Sequence, residues 1–340
     1  TVNAILRYTG AALTKLRLSN SGIGNNLFYS TRHHAGQAFS TGHNRALQMS
    51  TTSSIMKTSS VPVQLKYTEY KDKDHEDDSH TPVLLLHGLL GSKRNFASLA
   101  ASLTRQLQKK RRVLALDLRN HGENEHDWRD TMSYNDMAED VLRFLNDQEL
   151  EKAILVGHSM GGKVAQTMAL LQPHRVEGLV VLDIAPVKYD RERDGSWKAV
   201  SGIIDTLTGL QLENTSKREL DVLMRQSIED AALRAFVFTN LEEDRATKSM
   251  RWKINLDAIA QQMHVLADFD IISDSEERKY HGDTFFINGG ASRFIRSSHM
   301  ETIGNYFPNH MLTTIRGAGH WVHAEAPDNT LALLKRYLDR

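Results

Sequence analysis

Cysteine is absent from the 340 residues, and its absence excludes disulfides, thiolate metal sites and a cysteine nucleophile. Cys-free chains occur in reducing and oxidising compartments alike, so no location follows. Net charge is absent as well: Lys+Arg and Asp+Glu both number 42. No general attraction to nucleic acid, anionic membrane or acidic substrates is therefore expected. No run of roughly 18 apolar residues occurs, so no transmembrane segment is expected either. What remains is a composition 40% hydrophobic and 25% charged, that of a globular protein with a sizeable core.

One further absence is local. Residues 1–68 contain no Asp or Glu but do contain Arg7, Lys15, Arg17, Arg32, Arg45, Lys57 and Lys66. The stretch is rich in Ser, Thr, Asn and Gly, and Ile5, Leu6, Leu13 and Leu16 can share one face of a short basic helix. This is the texture of a mitochondrial transit peptide addressed to the matrix, with a plastid address or a plain disordered tail as the alternatives. The sequence divides into a targeting segment, 1–60, and a catalytic domain, 61–340.

Residues 61–70 alternate like a strand, and the charged stretch 71–80 reads as a surface hairpin loop. Short, continuous apolar runs of the buried parallel type follow at 83–87, 113–117, 153–157, 178–183, 284–288 and 311–315. Amphipathic helical patterns at 92–108, 133–147, 160–171 and 328–338 separate most of them. The alternation predicts an α/β fold with a mostly parallel, doubly wound sheet. Residues 187–281 break it with no convincing strand. They are read as an inserted helical cap over the edge of the sheet where ligands bind, the alternative being a packing layer with no role at the site.

The strongest chemical signal is Gly157-His158-Ser159-Met160-Gly161, a Gly-x-Ser-x-Gly element between a buried strand and a helix. By chance such a string is expected about 0.1 times in a chain this long, and its strand-to-helix placement raises its weight further. No Gly-Lys-Ser/Thr follows and Lys163 is out of frame, so a phosphate loop is excluded. A serine hydroxyl needs an imidazole base. His320 lies between the last strand and the last helix and can reach Ser159, whereas His323 reads as structural or pocket-lining. Histidines without further suitably spaced ligands do not suggest a metal, and no cofactor is called for.

The acid is less explicit. The run at 284–288 continues Gly289-Gly290-Ala291-Ser292-Arg293-Phe294 without a carboxylate. Asp183 ends the preceding strand and is the leading candidate to orient His320, with Asp257 of the cap in reserve. Ser292 is either a partner of His320 or Asp183, or an ordinary turn serine. The peptide N–H groups of Met160 and Leu89 are the expected oxyanion donors. The run Asp117 to Gly122 is expected to shape the base of the site.

Taken together, His87-Gly-Leu-Leu-Gly-Ser-Lys, Asp117-Leu-Arg-Asn-His-Gly, Gly157-His-Ser-Met-Gly-Gly-Lys, Asp183-Ile-Ala-Pro and Gly319-His-Trp-Val-His-Ala resemble the motifs of the α/β-hydrolase superfamily. The likeness is to the group of α/β-hydrolase domain-containing protein 11 and bacterial esterases, and Trp252-Lys-Ile-Asn-Leu-Asp extends it into the cap. The resemblance implies carboxyl-ester hydrolysis by Ser159 and His320, and a mitochondrial setting. Glu123 departs from the pattern, which usually has a small hydroxyl residue soon after His-Gly. The expected substrate is a small acyl ester or thioester. An alcohol acyltransferase on the same triad, or a non-catalytic ligand-binding or scaffold protein, is the alternative.

Overall fold

A strand flanked by neighbours and covered by helices on both faces has no solvent side, so every position must be apolar or small. The strand Ala153–His158 is buried at all six positions for this reason. The computed structural model describes residues 61–71, 80–244, 249–270 and 278–340. Its main sheet has seven strands: β1 (Tyr67–Tyr70), β2 (His80–Leu86), β3 (Arg111–Leu116), β4 (Ala153–His158), β5 (Val176–Leu182), β8 (Asp283–Gly289) and β9 (His310–Ile315). The order is β1-β3-β2-β4-β5-β8-β9. Only the β1–β3 pair is antiparallel.

The twofold periodicity of the strands feeds two separate cores. Leu84, Leu86, Leu114 and Leu155 face one core, shared with α2 (Tyr134–Asp147) and α3 (Met160–Leu171). Val83, Leu85, Val113 and Val156 face the other, against α1 (Ala97–Gln106) and the C-terminal helix α11 (Pro327–Leu338). Truncating any of these fully buried leucines to alanine would cost roughly 2–5 kcal/mol. Helix α2 starts where Ser133 accepts from the Asp136 N–H and the Asp136 side chain reaches back to Ser133, a reciprocal cap that satisfies two first-turn donors.

Two expectations change. β1 pairs with β3 and not with β2, so these two strands do not form the expected hairpin; residues 72–79 of the expected loop lie outside the described ones. The helix expected over 92–108 is a 3₁₀ turn, Lys93–Phe96, followed by α1. Residues 1–60, expected to be a targeting segment, also lie outside the described residues.

Between β5 and β8 the described residues form α4 (Gly195–Thr208), α5 (Lys217–Met224), α6 (Ala231–Val237), α7 (Leu256–Gln261) and α8 (Met263–Ala267). They also form a small antiparallel pair that the sequence reading missed, β6 (Leu241–Glu243) with β7 (Met250–Trp252). Ile204, Met224, Val237 and Ile259 join the same core as α3, so this segment is packed onto the sheet edge. Among the described residues no helix is long and apolar enough to cross a membrane. The chain resumes after β9 with α9 (Met300–Tyr306) already placed before it and the short α10 (Val322–Glu325) leading into α11.

Candidate active site

Strand β4 runs into α3 with one residue between them, and that residue is Ser159, at φ 51° and ψ −117°. A serine held in this sparsely populated region costs on the order of 1–3 kcal/mol. The surroundings impose it. A Cβ at position 157 would collide with the Gly161 carbonyl, and one at 161 would collide with the Leu86 and His87 carbonyls. Both glycines are therefore dictated by the closeness of backbone to backbone, and the turn lifts the Ser159 side chain above the N-terminus of α3.

The register of the sheet brings the other groups to this point. His158 of β4 stands opposite Leu182 of β5, so Ser159 and Asp183 leave adjacent strands side by side. The Ser159 N–H donates to Leu182 O at 3.1 Å, and the Asp183 N–H to Ile287 O at 2.9 Å. His320 arrives from the loop between β9 and α10. Its Nε2 lies 2.9 Å from Ser159 Oγ and its Nδ1 2.7 Å from Asp183 Oδ2. Asp183 is fully buried, and its Oδ1 accepts the Gly289 N–H at 2.8 Å. The Ser292 hydroxyl donates to Oδ2. Asp257 is exposed on the first turn of α7 and makes no contact with His320. Ser159, His320, Asp183 and Ser292 are thus brought together, and Asp257 is left out.

The loop bearing His320 is clamped by a residue the sequence reading overlooked. Glu325 accepts from the Gly319 N–H at 2.7 Å and the Trp321 N–H at 3.1 Å, on either side of the histidine. Phe294 packs on the imidazole, ring centroids 4.1 Å apart. Gly289 is small because the Gly319 carbonyl passes where a Cβ would stand. A carboxylate five residues after a histidine has no sequence signature, which is why Glu325 was missed.

Met160 opens α3, so its N–H has no acceptor within the helix. Leu89 lies in the turn 88–91, closed by the Gly91 N–H on Gly88 O at 2.9 Å. Two buried histidines hold this turn. His121 Nε2 accepts the Leu90 N–H at 3.1 Å while its Nδ1 meets Arg119 O at 2.8 Å. His87 Nε2 accepts the Leu118 N–H at 2.9 Å while its Nδ1 meets Gly88 O at 2.8 Å. One nitrogen accepting and the other donating requires the neutral ring. Burial, with the neighbouring His87, accordingly brings His121 down to about 3, and burial lowers His87. Burial also lowers His158 and, with His320 beside it, brings His323 to about 4.

The run from Asp117 to Gly122 supports this base. Buried Asp117 accepts from the Lys93 Nζ at 2.6 Å, the Lys93 N–H at 2.7 Å and the Glu123 N–H at 3.0 Å. Glu123, the departure from the family pattern, closes the loop through Lys93 at 2.8 Å and Arg94 at 3.0 Å. Lys163 is also structural: its buried Nζ donates to the carbonyls of Val187, Ala267 and Asp268.

Ser159, Met160, Leu89 and His320 line a cavity of about 60 Å³, roofed by Trp197, Val200, Ile203, Leu233 and Phe236. The segment between β5 and β8 therefore covers the serine. A second cavity, of about 640 Å³, shares Leu89, His158, Phe236 and Trp321 with the first. Among the described residues no group of three or more His, Asp or Glu is arranged to hold a metal.

A family model described as alpha/beta hydrolase fold matches residues 81–327. The chain is 35% identical over 258 residues to the sn-1-specific diacylglycerol lipase ABHD11 of Xenopus tropicalis, covering 76% of this chain and 78% of that protein. It is 30% identical over 262 residues to Esterase YbfF of Escherichia coli, covering 77% of this chain and 94% of that one. A solved marine microorganism esterase superposes with a TM-score of 0.73 at 32% identity, covering 81% of this chain and 99% of its own.

Proposed function

The chain belongs to the α/β-hydrolase family and is a carboxylic ester hydrolase, and from that premise we propose that it acts through a Ser159–His320–Asp183 triad and an acyl-enzyme. The observation that carries the reading is the continuous hydrogen-bond chain from Ser159 Oγ through His320 to buried Asp183.

In this reading neutral His320 takes the Ser159 proton at Nε2 as Oγ bonds to the acyl carbon. The carbonyl electrons move onto oxygen, where the Leu89 and Met160 N–H groups receive the charge. Such a donor is worth on the order of 10²–10³ in rate. His320 then gives its proton to the leaving oxygen, or to sulfur in a thioester, as that bond breaks. Water repeats the sequence and frees the acid. Asp183 keeps the Nδ1 proton in place and stabilises the imidazolium, so that Nε2 faces the serine unprotonated.

A fluorophosphonate should label the wild type and not Ser159→Ala, and the variant should lose about 10³-fold or more in kcat on 4-nitrophenyl esters. Wild-type turnover by folded Ser159→Ala would end the reading. A diglyceride and an acyl thioester belong in the same panel. The acid-free composition of residues 1–68 supports a mitochondrial address, tested by fusing residues 1–60 to a fluorescent protein; diffuse fluorescence throughout the cell would refute it.

A further inference from the structure

We infer that the enzyme divides its substrate unequally: an acyl chain of about four carbons or fewer enters the cavity at Ser159, and a bulky, uncharged amphiphilic alcohol occupies the adjoining groove. The inference rests on the ester-hydrolase reading and adds which half of the ester goes where.

The first half follows from size and lining. The cavity at the serine measures about 60 Å³. An apolar cavity of about 150 Å³ holds the six carbons of benzene, so this one takes roughly two to three carbons beyond the carbonyl. The walls beyond the serine are Trp197, Val200, Ile203, Leu233, Phe236 and Leu266. They offer hydrocarbon a largely apolar surface, and the Tyr134 hydroxyl in the same lining already donates to Leu266 O at 2.8 Å. The one cation at the wall, Lys163, spends its Nζ on three backbone carbonyls. Nothing there calls for a charged acyl terminus.

The second half follows from the proton. The leaving oxygen must lie beside His320 to be protonated. The residues just after it, Trp321, His323 and Ala324, line the groove of about 640 Å³. The lining of that groove is mixed: Leu99, Pro327 and Leu331 are apolar, and Asn95, His126 and Lys253 are polar. Its carboxylates are largely matched by cations. Asp117 and Glu123 meet Lys93, while Glu125 and Glu242 meet Arg251. An ionic leaving group would find little net pull, whereas a hydroxyl-bearing alcohol with a hydrocarbon arm matches both kinds of lining. Phe236 and Trp321, in edge contact with ring centroids 6.2 Å apart, line both spaces and form the partition.

A single substrate tests both halves. In racemic 1-lauroyl-3-butyrylglycerol each chain occupies the sn-1 position in half of the molecules, so stereospecificity cancels and the enzyme chooses which chain is the acyl group. The wild type should release butyrate over laurate by about 10-fold or more, since each misfitting methylene in an apolar pocket is worth roughly 10-fold or more. Ile203→Ala should shift release toward laurate by several-fold. Leu331→Trp should raise the KM for this glyceride relative to ethyl butyrate. Laurate release equal to or above butyrate in the wild type overturns the acyl assignment. A KM for the glyceride no lower than that for ethyl butyrate overturns the groove assignment. Absence of both turnover and fluorophosphonate labelling would instead overturn the ester-hydrolase reading beneath them.

Discussion

Replacing Asp183 by Asn tests how the imidazole is held. Asp183 Oδ1 accepts the Gly289 N–H, and Oδ2 accepts from Ser292 and faces His320 Nδ1. An asparagine must keep its oxygen toward Gly289, because an NH₂ there would face another donor. Its NH₂ then replaces Oδ2 and donates to His320 Nδ1. The ring proton moves to Nε2, the nitrogen that has to receive the Ser159 proton, and general-base catalysis stops. The expected loss is about 10⁴ in kcat, or about 5.5 kcal/mol of transition-state stabilisation. KM should change little, since Asp183 lines neither cavity. Turnover of 4-nitrophenyl butyrate, with circular dichroism to verify folding, gives the answer. A loss below about tenfold in the folded variant would refute the argument. So would a comparable loss in Asp257→Asn, whose side chain is exposed on α7 and should leave kcat within about twofold.

Ser292→Ala removes one charge-assisted hydrogen bond from Asp183. It should lower kcat by about 10- to 100-fold with folding intact, and an unchanged kcat would make Ser292 an ordinary turn residue. Gly161→Ala drives a Cβ into the Leu86 and His87 carbonyls. It should cost about 3 kcal/mol or more in urea unfolding, and a loss below about 1 kcal/mol would contradict the stated reason for that glycine. The buried histidines set an acid limit. His323 and His121 have folded values of about 4 and about 3, against 6.5 when free, and His87 and His158 are lowered too. The unfolded chain therefore binds more protons below pH 6.5. Stability is full above that pH and falls as pH drops toward the folded values, by up to about 1.4 kcal/mol per pH unit for each histidine. Urea midpoints that stay flat from pH 7 to 4.5 would refute this.

The parallel strands of the main sheet were legible because a buried parallel strand leaves a solid apolar run, and the turn at Ser159 because its glycines answer to local crowding. The pairing of β1 was not legible. Residues 61–70 alternate as a hairpin strand would, and only the sheet order reveals that β3 is the partner. The β6–β7 pair is three residues long on each side, too short for a period to register. Asp183 could be ranked above Asp257 because a strand end is rigid; in the structure it lies buried beside His320. The support supplied by Glu325 left no trace in the sequence, and His87 and His121 stood out only as members of motifs, without their roles. Each acts on backbone groups, which carry no residue identity.

Ser159 and Asp183 both belong to one strand–helix–strand unit, β4-α3-β5, and the covering segment is inserted after it. In the proposed mechanism the spacing of nucleophile and acid is therefore fixed by a single strand register, upstream of the insertion. Lengthening, shortening or exchanging the cover changes the path by which His320 returns, but it cannot stretch the distance between the other two. Were the acid to follow β8, every remodelling of the cover would lie between nucleophile and acid. Placing it one strand earlier separates the part of the chain that selects substrates from the part that holds the serine's electrostatic partner, so the former can diversify without retuning the latter.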